Sequence, residues 1–341
     1  MIHKIKQKLK EDIKSIKENP KQLLWYIIPI LITITLVLPV PYYITIGGGT
    51  LSLNNKISIE GTKKEGSFNL AYVSEIKGNV LYCLLGHIIP SYEIEKQEDV
   101  VPTNESVEDY EFRERISFEN SIKEATFVAY KKANKKIIES SKDLVVIYIE
   151  ENAKTTLKVQ DKLLKIENQK INSTTELSNI LNKYSVKDKV NITGLRNKKE
   201  IETTTEIIEI NNEKKLGIVV FEDISYDTNP KITYNFKKRE TGPSGGLTIA
   251  LDIYNHLVEE DITKGYKIVG TGTIDKNGLV GEIGGVKYKL QGAVKDNADI
   301  FIVPKENYEE AITEKNKHNY KINIISVSTF DEAIEKLKNL K

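Results

Sequence analysis

Ser244 and Lys289 are the two residues of this 341-residue chain whose surroundings suggest covalent chemistry. Ser244 lies in Thr241-Gly242-Pro243-Ser244-Gly245-Gly246, and Lys289 in Gly284-Gly285-Val286-Lys287-Tyr288-Lys289-Leu290. Proline suits the first turn of a helix, where its missing N–H would be unpaired anyway. After it, Leu247, Ala250, Leu251, Tyr254, Leu257 and Val258 recur at helical spacing. Ser244 is thereby placed among unpaired amides at the positive end of a helix dipole, a setting that suits an oxyanion. Gly242 and Gly245 lack Cβ atoms and let a peptide approach the backbone. The plain alternative is a serine that caps a helix.

A nucleophilic serine needs a base, and the four histidines are badly placed for it. His3 is in the N-terminal tail, and His87 and His318 stand in no triad context. His256 is twelve residues along the same helix as Ser244, about 18 Å away. A lysine serves if it is neutral, which means lowering its pKa from ~10.4 toward 7 at roughly 4 kcal/mol of burial. Lys287 and Lys289 flank the stripe of Val286, Leu290, Ala293 and Val294 on opposite sides, so periodicity does not separate them. Gly292 and Ala293, three and four residues beyond Lys289, leave room for close packing there. Otherwise both are solvated surface lysines, the usual fate of the residue.

These residues need a frame to position them. Lysine plus arginine number 50 and aspartate plus glutamate 49, so no global field points to a nucleic-acid partner. The single cysteine, Cys83, rules out an internal disulfide, reads as a small apolar packing residue, and leaves no metal or other cofactor expected. Leu23 to Ile46 contains no charge and as one helix would reach about 36 Å, enough for the ~30 Å hydrocarbon core. Trp25, Tyr26, Tyr42 and Tyr43 stand near its ends, and Pro39 and Pro41 interrupt its exit. Residues 1–21 carry seven lysines against three acidic residues, which by the positive-inside rule keeps them cytoplasmic. No small-residue cleavage site follows. The expectation is an uncleaved single-pass anchor over residues 22–45 after a basic tail (1–21), with the lipid bilayer as a partner and the remainder outside the cell.

Three further regions are expected in an α+β chain. Residues 46–138 begin with a break at Gly47-Gly48-Gly49. They continue with strands around Ile57–Ile59 and Phe68–Val73, an acidic loop over 91–110, and a helix over 111–138. Residues 139–212 order a strand (Leu144–Ile149), Gln160-Asp161, a strand, Asn168-Gln169, a helix (Thr174–Tyr184) and two strands. That order resembles a PDZ domain, although Gln160 and Gln169 stand where glycine is common. No Gly-Leu-Gly-Phe-like loop precedes Leu144–Ile149; a groove for strand addition stays open as a reading, beside the plain alternative of a small spacer with no ligand. Residues 213–341 read as strands at 217–221, 232–236, 266–273, 300–303 and 322–327. A turn falls at Asp275-Lys276-Asn277-Gly278, and helices follow Pro243, Gly285, Pro304 and Ser328.

The glycine-marked blocks Gly242–Gly246, Gly270-Thr271-Gly272, Gly278–Gly281, Ile283–Lys289 and Ile302–Asn307 resemble, in order and spacing, the proteolytic domain of Lon proteases. With the apolar segment and the PDZ-like part, the chain resembles the membrane-anchored PDZ–Lon-like proteases of Gram-positive bacteria. The resemblance implies that Ser244 is the nucleophile, that Lys289 is the general base, and that Thr271 helps hold the lysine amine. Gly245 stands where alanine is usual, and Thr241 where many relatives have aspartate. No Gly-x-x-x-x-Gly-Lys-Ser/Thr motif occurs, so an ATP-independent serine endopeptidase acting on polypeptides is expected. Its domain type also allows a homo-oligomer. The rival reading is a non-catalytic PDZ-like adaptor on a protease-shaped scaffold.

Overall fold

The computed structural model describes residues 22–60, 66–89, 91–102 and 105–340. They fall into two compact units, the first holding residues up to 46 together with 74–100, and the second holding 47–73 and everything from 101.

In the first unit the apolar run divides. Helix α1 (Gln22–Val37) has 16 residues and strand β1 (Pro39–Ser52) follows at once. Sixteen residues rise about 24 Å, short of the ~30 Å hydrocarbon core. Pro39 has no N–H to continue the helix and biases Leu38 away from the helical region. Beyond it Tyr42–Ile46 pair antiparallel with Tyr92–Lys96, and Tyr43, Ile44 and Thr45 are buried. Among the described residues no helix is long and apolar enough to cross a membrane. This overturns the expected transmembrane anchor, and with it the single-pass topology that put the catalytic part outside the cell. The basic tail (1–21) lies outside the described residues. Helix α2 (Val80–Ile88) is capped by Asn79, whose side chain accepts from Tyr82 N at 2.8 Å. Cys83 is half-buried, and His87 Nδ1 meets the Cys83 carbonyl oxygen at 2.7 Å, not the thiol. The loop expected over 91–110 carries strand β4 (Tyr92–Lys96), the single turn α3 (Gln97–Val100) and the start of α4 (Val107–Lys132), which begins earlier than the expected 111.

Among the described residues the second unit holds strands of two large sheets and three two-stranded pairs. Strands β2 (Ile57–Ile59) and β13 (Ile232–Tyr234) pair with each other. Strand β3 (Ser67–Asn79) lies parallel to β14 (Lys267–Gly270), β14 to β17 (Ile300–Pro304), and β17 to β18 (Asn323–Val327). The sheet order is β18-β17-β14-β3-β1. Side chains alternate across its faces with period two. Phe68, Leu70, Ile268, Ile300 and Ile302 pack with α4, α6 (Gly246–Leu257) and α9 (Phe330–Lys338). On the opposite face Ala71, Val269, Phe301 and Val303 pack with α7 (Val286–Lys295) and α8 (Tyr308–Lys317). The result is a three-layer α/β/α arrangement. The turn at Asp275–Gly278 joins β15 (Thr273–Ile274) to β16 (Val280–Gly281), and Thr329 caps α9 by accepting from Glu332 N, as the sequence indicates.

The second sheet has the order β12-β5-β6-β8-β9, from β5 (Lys136–Ile149), β6 (Lys162–Ile166), β8 (Lys189–Arg196), β9 (Lys199–Glu206) and β12 (Ile218–Asn229). Short β7 (Gln169–Lys170) pairs with β6, and β10 (Ile208–Ile210) with β11 (Glu213–Lys215). Helix α5 (Thr174–Leu181) covers the core through Leu177, Ile180 and Leu181. Leu144–Ile149 is not at an edge, because β12 pairs along it; the edge beside α5 belongs to β12. There Thr174 donates from its backbone N and its Oγ1 to Glu222 Oε1, at 2.7 and 2.8 Å. Helix α4 touches both sheets' helices and strands. Phe118, Ile122 and Ala125 join the α6 core, while Phe112 and Ile116 meet Val145 and Phe221.

Two consequences can be measured. Gln160 holds φ +78°, a left-handed conformation that glycine adopts without steric penalty, and its side chain is exposed. Gln160→Gly should therefore raise the urea midpoint by about 1 kcal/mol of stability with the slope unchanged. Asp252 of α6 is buried, with Oδ2 lacking a hydrogen bond, and burial pushes its carboxyl up to about 8 from 3.8. The fold thus keeps a proton that the unfolded chain releases near pH 4. Stability is fully present below that pH and is lost as the pH rises toward 8. Thermal melts of Asp252→Asn across this window should show a flatter pH dependence than those of the unsubstituted chain.

Candidate active site

Ser244 occupies a single 3₁₀ turn, Pro243–Gly245, that leads directly into α6. The turn is fixed from three sides. Gly242 takes φ +83°, which favours glycine, and its N–H donates to the Glu114 carbonyl of α4 at 3.1 Å. The Ser244 carbonyl accepts from Gly272 N at 2.7 Å and from Thr271 Oγ1 at 3.1 Å. Leu247 N in turn donates to Gly272 O at 3.0 Å. The amides of Ser244 and Gly245 are among the first of the turn, which helical bonding leaves without an intrahelical acceptor.

Thr271 follows the last residue of β14, is fully buried, and ties its own N–H to Ile302 O at 3.0 Å. The serine turn is therefore pinned at the carboxyl edge of the parallel sheet, where open α/β sheets place their ligand crevices. Helix α7 starts at that same edge, on the opposite face. A Cβ at Gly285, its N-cap, would stand 3.2 Å from Val73, beyond the β3 residue that pairs with Gly270.

Lys289 lies one turn into α7 and is only 3 % exposed. Desolvation lowers its pKa from 10.5 to about 8, with Glu310 opposing the shift. Its burial has a backbone cause. Gly48, which the sequence suggested was a break, is inside strand β1, and a Cβ there would stand 2.5 Å from Tyr288 O. A Cβ at Gly292 would meet the Gly48–Gly49 peptide at 2.8 Å. Bare backbone on both sides lets α7 sit directly on the strand. Lys287 has a different fate: it is half-buried, with its Nζ 4.6 Å from the Tyr288 ring centroid. The structure thus separates two lysines that periodicity left equivalent.

The other expected residues fall as follows. Gly242 and Gly245 flank the serine, Gly245 packing on Leu70. Thr271 reaches the serine's carbonyl, and its hydroxyl proton is spent there. Sequence reasoning missed Glu114, which holds Gly242 from α4; it sits in a segment read only as helix, about 130 residues upstream of Ser244.

Residues 238–339 match the family profile of the Lon protease C-terminal proteolytic domain, and residues 118–207 match that of the PDZ domain. The chain is 36% identical over 98 residues to a "Lon protease 2" of Bacillus subtilis, covering 28% of this chain and 16% of that protein. It is 33% identical over 95 residues to a Lon protease of Campylobacter jejuni, covering 28% of this chain and 12% of that one. An archaeal Lon protease of Halobacterium salinarum is 30% identical over 94 residues, covering 28% of this chain and 13% of its own length. The chain therefore spans less than a fifth of the curated relatives it matches. The homology of its C-terminal part supports a serine-type peptidase.

Packing at the turn gives a paired test. A Cβ at Gly246 would meet Ile274 Cγ2 at 2.9 Å and the Ile274 backbone N at 3.2 Å, whereas one at Gly245 would meet only side-chain atoms of Leu70 and Ile249. Gly246→Ala should destabilise the chain by about 1–3 kcal/mol in urea unfolding, and Gly245→Ala by distinctly less.

Proposed function

We propose that the chain is an ATP-independent serine endopeptidase in which Ser244 is the nucleophile and Lys289 the general base. Ser244 Oγ attacks a peptide carbonyl carbon while its proton passes to neutral Lys289 Nζ. The tetrahedral oxyanion is held by backbone amides of the serine turn. Collapse breaks the C–N bond, the lysine returns the proton to the leaving amine, and water, deprotonated by the same lysine, hydrolyses the acyl-enzyme.

The observation that carries this reading is the burial of Lys289, with its pKa lowered to about 8, one turn into a helix that starts at the sheet edge where the Ser244 turn is pinned. Roughly a tenth of such a lysine is neutral at pH 7. Thr271 keeps the serine turn in register with the end of β14. A polypeptide substrate fits the PDZ-type match and the edge strand β12 beside α5, where an extended peptide can add. The 341 residues hold no Gly-x-x-x-x-Gly-Lys-Ser/Thr motif, so the proposed cleavage uses no nucleotide site of that kind in them.

Casein or fluorogenic-peptide cleavage tests the proposal. Ser244→Ala should abolish turnover, and Lys289→Ala should cost about 10²–10⁴-fold, while Lys287→Ala retains activity. Because the base acts only when neutral, kcat/KM should rise with pH and level off above about 8. Lys289→Arg, which keeps its charge, should stay inactive throughout. Undiminished cleavage by Ser244→Ala would remove the proposed nucleophile.

A further inference from the structure

Glu114 projects from α4 into the space beside the serine turn. Its backbone carbonyl accepts from Gly242 N at 3.1 Å. Its side chain borders the same residue: a Cβ built on Gly242 would have one heavy atom within 4 Å, Glu114 Oε2 at 3.6 Å. Chain neighbours aside, the Glu114 carboxylate is the group that borders this face of Gly242 within 4 Å among the described residues. Gly242 and Ser244 are two residues apart, so their Cα atoms are at most ~7 Å from each other.

That carboxylate is poorly compensated. Its neighbour Arg113 makes a bidentate pair with Glu105, at 3.0 and 2.7 Å, and comes no nearer to Glu114 than 3.9 Å. Among the described residues Glu114 has no other ion pair, and Glu105 adds like charge. Burial pushes its carboxyl above the ordinary glutamate range, with Arg113 opposing. A half-buried acid whose oxygen borders the bare face of Gly242 gains most from a cation that arrives with fixed donors.

We propose that Glu114 forms a subsite for a positively charged side chain, arginine or lysine, within about two residues of the bond that Ser244 cleaves. The proposal rests on the protease reading above. A long basic side chain (about 6–7 Å of stem and head) spans the gap between a peptide backbone at Ser244 and an acid beyond Gly242. An acidic side chain there is repelled.

Matched fluorogenic peptides carrying Arg, Leu or Glu at single positions beside the cleaved bond, given to the full chain, decide it. The expected result is a kcat/KM at least about tenfold higher for Arg than for Leu at one such position. Glu114→Gln should cut that ratio at least fivefold, Glu114→Asp should keep its sign, and Glu114→Lys should turn the preference toward Glu. A loss of stability alone would lower all three peptides together and leave the ratio standing. Cleavage with no basic preference, or a ratio untouched in Glu114→Gln and Glu114→Lys, overturns the subsite and leaves the protease. Fluorescence polarisation in the Ser244→Ala background separates the two ideas. Tighter binding of the Arg peptide that is lost on adding Glu114→Gln supports the subsite even if the chain cleaves nothing. Equal binding of Arg and Leu peptides overturns it.

Discussion

The proposed cleavage depends on keeping one lysine amine out of water. Lowering Lys289 from 10.5 to about 8 represents roughly 3 kcal/mol of interaction favouring the neutral form over the charged one. The fold supplies it through contact between backbones. Gly48 on the strand and Gly292 on the helix lack the Cβ atoms that would hold α7 away from the sheet. Glu310 pulls the other way but does not cancel the burial. A side chain at either glycine would clash with backbone across this contact.

The serine is positioned by a separate set of interactions. Its turn is tied to the end of β14 through Thr271 and Gly272, and to α4 through Gly242. The parallel sheet is the common reference, because Ser244 and the start of α7 both register against its carboxyl edge from opposite faces. Helix α4 adds a second role. Phe112 and Ile116 pack on the β5–β12 sheet while Glu114 holds the serine turn, so one helix carries contacts to both parts of the second unit.

The frame around Ser244 can be read from the sequence because its signals are local. Pro243, the turn at Asp275–Gly278 and the Thr329 cap each announce a specific backbone geometry, and each stands where expected. Signals that depend on distant partners are not visible in the local sequence. Gly47-Gly48-Gly49 looks like a break, yet it is strand because α7 needs bare backbone to pack on. Leu23–Ile46 looks like one membrane helix, yet Pro39 divides it and Tyr92–Lys96 recruits its second half into a sheet. Leu144–Ile149 reads as a strand, but its partner β12, some 70 residues later, has no local signal. The choice between Lys287 and Lys289 has the same origin, since both flank one stripe and only the packing of α7 decides which is buried.

A direct titration of the Lys289 amine goes to the centre of this account. Lysine side chains labelled at Cε can be followed by NMR as a function of pH, with Lys289→Arg identifying the resonance. An apparent pKa near 8 is expected in the folded chain, well separated from the bulk of the lysines. A value at the ordinary ~10.4 would show a solvated, charged amine with no capacity to act as a base for Ser244, and would contradict it.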